Sequence, residues 1–118
     1  EIFGALKHDV WEAEVALNAV ISAQVPREVL RAATIYSSGE PCAMCSAAIF
    51  YTGIGRVVYG LSAAAILHLR NAQPHTAGLR LSCREVLDTA AEPVAVTGPC
   101  LEAEGAVPHR GYWVQGAA

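Results

Sequence analysis

The chain has 118 residues, 53% hydrophobic and 16% charged: enough for one buried core, too short for two typical domains, and too apolar for a disordered segment. Its 8 basic residues stand against 11 acidic ones for a net charge of -3. Lys7 is the single lysine and the arginines are scattered, so no basic stripe tracks a phosphate backbone; this speaks against a nucleic-acid partner and for a small, uncharged one.

The first predicted element is a helix over Glu12 to Ala23, with Val15, Ala19 and Val20 apolar and no breaker before Pro26. Ala33 to Ser37 is β-branched and aromatic and ends in Ser-Ser-Gly, which reads as a buried strand running into a loop. Pro41 opens a second helix, at the position where a missing N–H costs nothing, and this helix carries Cys42 and Cys45 to an end near Thr52-Gly53. Arg56 to Gly60 is the next strand, and two strands joined by a helix predict a right-handed parallel βαβ unit. Ser62 to Arg70 has a helical pattern, and Asn71 to Gly78 with Pro74 is a loop bordering the site or an interface. Cys83 to Ala91 is a short helix, Pro93 to Thr97 a third strand, and Leu101 to Trp113 a terminal helix interrupted at Pro108. Gly53, Gly55, Arg56 and Gly60 break the apolar stretch from Ala43 to Leu69, so no membrane span is expected there.

Glu40-Pro41-Cys42-Ala43-Met44-Cys45 sets two thiols one helical turn apart, beyond a strand's carboxyl end, where α/β folds place sites. Thiolates at i and i+3 share a face, lie at the positive end of the helix dipole and can ligate one zinc ion. With Glu14 upstream in Glu12-Ala13-Glu14-Val15, the pattern suggests a zinc hydrolase. Three other readings use the same residues. Cys42 and Cys45 are ordinary buried thiols, or a Cys-x-x-Cys redox pair on a thioredoxin-like unit, or half of a non-enzymatic four-thiolate zinc module completed by Cys83 and Cys100.

The upstream Glu12-Ala13-Glu14 and the run Glu40 to Ile49, followed by Gly55-Arg56-Val57-Val58-Tyr59-Gly60, resemble the zinc-dependent cytidine deaminase superfamily, with H-x-E and P-C-x-x-C as its signature. Guanine deaminases and tRNA adenosine deaminases are similar in these runs, and the match extends from about Glu12 to Leu61. The resemblance implies a cytidine deaminase-like α/β fold, a three-layer α-β-α arrangement around a central mixed sheet, and a homodimer. It implies Zn2+ as cofactor, Cys42 and Cys45 as ligands, and Glu14 as the group that takes a proton from the attacking water and passes it to the ring nitrogen and departing ammonia. Ala13 and Pro41 would border the substrate.

This chain departs from the family at Glu12, where the family has its histidine ligand. A carboxylate oxygen also ligates zinc, so Glu12 is expected to take that place, with His8 as the alternative. Only 11 residues precede Glu12, so the family's N-terminal helix and hairpin are expected to be absent. Trp11, His109, Tyr112 and Trp113 are candidates to stack on a planar base, or else serve packing. Glu102 and Glu104 complement a helix dipole or form a second proton shuttle. The activity expected is hydrolytic deamination of a free, guanine-like nucleobase. Four cysteines without a secretory pattern point to the cytoplasm.

Overall fold

A computed structural model describes residues 24–70 and 79–112. The predicted helix over 12–23, the loop over 71–78, and His8, Trp11, Glu12, Ala13, Glu14, His75 and Trp113 lie outside these residues.

A short helix, α1 (Arg27–Ala32), precedes the first strand. Strand β1 (Thr34–Gly39) leads to α2 (Ala43–Thr52), and α2 to strand β2 (Arg56–Leu61). There follow α3 (Ala63–Leu69), α4 (Cys83–Asp88), strand β3 (Ala95–Thr97), α5 (Glu102–Ala106) and a 3-10 turn over Val107–His109. The three strands form one sheet in the order β1-β2-β3 with both pairings parallel, in register Ile35 to Val57 and Val57 to Val96. Any antiparallel strand that a mixed sheet requires is not among the described residues.

The core lies where α1, α2 and α4 meet one face of the sheet: Leu30, Ile35, Ile49, Ile54, Val57, Cys83 and Leu87 form one buried cluster. Ile49 and Val57 are wholly buried. Side chains alternate across a strand, so Tyr36 and Val58, paired in register, lie on the opposite face, where Tyr36 is half-exposed.

Each connection has a local cause. Gly53 ends α2 in the left-handed region at φ 101°, its N–H donating to the carbonyls of Ile49 and Phe50, a conformation glycine adopts without strain. Gly55 lets the chain pass so close to the Arg31 carbonyl that a side chain there would overlap it. Serines start the next two helices: Ser62 accepts from the Ala65 N–H, and Ser82 forms a reciprocal capping box with Glu85.

Two predicted boundaries shift. Pro41 is outside α2, because Cys42 takes the N-cap with extended backbone (φ -68°, ψ 175°) and the helix begins at Ala43. The terminal helix is two short pieces, α5 and the 3-10 turn, with Pro108 inside the turn as expected of a residue lacking an N–H.

Candidate metal and active site

Cys42 and Cys45 stand at the start of α2, beyond the carboxyl end of β1. Cys42 is exposed at the N-cap, and Cys45, one turn on, is buried. Neither is in a disulfide. Soft donors in this arrangement, one facing outward and one anchored in the core, fit a zinc ion at the positive end of a helix. They would be two donors of a set, and the positions expected to add a third, Glu12 or His8, lie outside the described residues. No group of three or more metal-ligating side chains exists among the described residues. Since all four cysteines are described, this corrects the four-thiolate reading: Cys83 is sealed in the core and Cys100 stands beyond β3.

The segment carrying Cys42 is held at each residue. The Glu40 N–H donates to the Leu61 carbonyl at 2.8 Å. The Glu40 carboxylate accepts from two backbone amides, Ala63 at 3.0 Å through Oε1 and Cys83 at 2.8 Å through Oε2. Pro41 is buried, and its carbonyl accepts from the Ser46 hydroxyl at 3.2 Å. The Cys42 carbonyl accepts from the Ser46 N–H at 2.8 Å. Ser46 is fully buried, so its hydroxyl needs that partner, and Pro41 supplies it as a fixed acceptor directly before Cys42.

Behind this segment, burial pushes the Cys83 thiol above its ordinary value, against a hydrogen bond with Ser46 that pulls it down. Burial likewise raises Tyr59. The sequence reading missed Glu40, Ser46 and Cys83 as supports. The Glu-Pro pair before Cys42 was a signal that the glutamate is placed deliberately, but its partners, at 63 and 83, are set by tertiary structure.

The remaining candidates divide. His109 is partly buried in the 3-10 turn and Tyr112 is exposed just after it. Glu102 and Glu104 are exposed in the first turn of α5, which matches the helix-dipole role. His68 is exposed in the last turn of α3.

Residues 10–61 match the cytidine and deoxycytidylate deaminase zinc-binding region. That segment takes in Glu12, Glu14, Cys42 and Cys45, and ends with β2. A protein of Schizosaccharomyces pombe (strain 972 / ATCC 24843) named "Probable cytosine deaminase" is 41% identical over 87 residues, 74% of this chain and 54% of that protein. The chain thus spans about half the length of the curated relative it matches. The matched zinc-binding region, its parallel β-α-β frame and the cysteine pair at the head of α2 agree with one another and support one family: residues 10–61 are similar to the zinc-binding region of the cytidine deaminase superfamily.

Proposed function

We propose that this chain is a single zinc deaminase domain that hydrolyses an exocyclic amino group from a free nucleobase or a related amino-substituted ring, releasing ammonia. The observation that carries the reading is the Cys42/Cys45 pair at the start of α2 inside the matched zinc-binding region. Cys42 and Cys45 hold zinc together with Glu12, which stands where the family has histidine, and the chemistry zinc supplies when bound is a water acidified towards a pKa of about 7. Glu14 would move two protons in turn: the first from the attacking water to the ring nitrogen as the oxygen bonds to the ring carbon, the second from the resulting hydroxyl to the amine as the C–N bond breaks, so that a ring carbonyl and ammonia are left. Ala13 and Pro41 border the ring, and Trp11, His109, Tyr112 and Trp113 are the aromatic groups available to stack on it.

On the ring itself, the relative's name favours cytosine, while the runs Glu40 to Ile49 and Gly55 to Gly60 favour a guanine-like base through their similarity to guanine deaminases. A small-molecule substrate fits the absence of a basic stripe. Cysteines outside any disulfide fit a reducing compartment, taken as the cytoplasm, and no helix of the described residues is long and apolar enough to cross a membrane. The same reading includes a homodimer.

Ammonia release from cytosine, guanine, adenine, their nucleosides and an amino-triazine, with zinc-loaded protein, tests the reading. Release from at least one ring is expected, with loss of activity in Glu14→Ala at unchanged zinc content. Parent-like turnover in Glu14→Ala removes its assigned role, and no release from any ring with zinc bound removes the substrate class.

A further inference from the structure

We propose that Glu40 is a positioning residue for the metal site, its carboxylate locking the Cys42 segment to the starts of α3 and α4; this rests on the reading that Cys42 and Cys45 hold zinc. Glu40 follows β1 directly and stands two residues before Cys42. Its two oxygens take the N–H of Ala63, the first residue of α3, and that of Cys83, the first residue of α4. One carboxylate therefore spans two helix starts that are 20 residues apart in sequence, as a negative charge facing two positive helix ends. Hydrogen bonds to an ionised acceptor are shorter and stronger than neutral ones.

Neither helix needs Glu40 to begin. Each has its own serine for the amide two residues further on, Ser62 for Ala65 at 3.1 Å and Ser82 for Glu85 at 3.0 Å. What Glu40 adds is a fixed relation between three elements: the end of β1, α3 and α4. The Glu40 N–H on Leu61 ties the same residue to β2. From there the restraint runs without a gap to the Cys42 backbone, since Pro41 has a fixed φ, its carbonyl holds the Ser46 hydroxyl, and the Cys42 carbonyl holds the Ser46 N–H. Cys42 is the exposed member of the pair and Cys45 the buried one. The core therefore places Cys45, whereas Cys42 depends on its segment, and Glu40 is the anchor of that segment.

Groups that orient metal ligands typically change metal affinity about 10- to 100-fold when removed. The test measures zinc affinity by chelator competition, the cobalt-substituted absorption spectrum and thermal unfolding. It uses the full chain and the variants Glu40→Ala, Glu40→Gln, Cys42→Ser and the double variant Ser62→Ala/Ser82→Ala. Expected are zinc binding weakened about 10- to 100-fold in Glu40→Ala, with altered thiolate-to-cobalt bands, and an intermediate loss in Glu40→Gln, which keeps one acceptor oxygen. The serine double variant melts earlier yet binds zinc as the parent does.

A folded Glu40→Ala with parent affinity and spectrum overturns the proposal, and if that variant does not fold, parent-like binding by Glu40→Gln does so. Equal weakening in the serine double variant also overturns it, since general loosening of α3 and α4 then accounts for the effect. Cys42→Ser separates the two readings. If it binds zinc like the parent, the ligand assignment falls and the role of Glu40 with it; if it loses zinc while Glu40→Ala does not, the role of Glu40 alone falls.

Discussion

Cys83 occupies the first position of α4, fully buried, with its backbone N–H on Glu40 and its thiol against Ser46. Burial raises the thiol above its ordinary 9.0, so the folded chain holds this proton more tightly than the unfolded chain. The resulting stability is fully present below the unfolded value and is lost as pH rises through the higher folded value. Tyr59 is raised by burial in the same direction from 10.0. Urea midpoints are therefore expected to fall as pH rises above about 9, and to fall less steeply in Cys83→Ala, which has lost one of the two groups. An identical slope in that variant would assign the alkaline loss to other groups. The sequence puts Cys42 and Cys45 forward as a pair because their spacing is local. It could not identify Cys83 as a core thiol, since an isolated cysteine in a short amphipathic segment has the same pattern whether it ligates or packs.

Among the helices, α4 shows how much six residues can do when their ends are satisfied. The Ser82 hydroxyl takes the Glu85 N–H at 3.0 Å and the Glu85 carboxylate takes the Ser82 N–H at 3.1 Å, which holds the Glu85 carboxyl below its usual range. Replacing Ser82 by alanine is expected to lower stability by about 1 kcal/mol, read from chemical unfolding with an unchanged m-value. No change would mean that the Cys83 N–H on Glu40 alone suffices to start the helix. The glycine stop of α2 and the strands β1 and β2 were legible in sequence because each depends on neighbours within a few residues, while the capping serines came only with the structure. α1 was not: it has only Arg27–Ala32 behind Pro26, with Leu30 its single buried side chain, too short for a periodic pattern. The start of α2 was misjudged by two residues because proline suits the first helical position in isolation. Here the buried Ser46 hydroxyl fixes the Pro41 carbonyl and sets the proline outside the helix.

At the scale of the molecule, α2 is apolar on all sides, as suits a helix covered all round. Yet Tyr51 is 80% exposed and Met44 48% exposed in the described residues. The homodimer proposed above would cover both if this face is its interface. Sedimentation of the full chain at micromolar concentration is expected to give a dimer, and Tyr51→Glu to shift it towards monomer, because a charge buried without a partner costs several kcal/mol. A monomeric parent would end that expectation. The α/β class and the parallel β-α-β unit were legible from the alternation of periods. Substrate choice was not, because no short-range pattern in the sequence states which ring the pocket accepts.

The strand order β1-β2-β3 follows the order of the chain, and each strand pairs with the one made just before it. Thr34 meets Arg56 after a single intervening helix, so β1 can acquire its partner while β3 is still being synthesised. Among the described strands, a sheet built this way can grow from β1 outward as the chain leaves the ribosome, each strand meeting its partner in chain order. The thiol-bearing α2 lies inside the β1-α2-β2 unit, and the Cys42 segment gains the last of its anchors only when α4 emerges and the Cys83 N–H reaches Glu40.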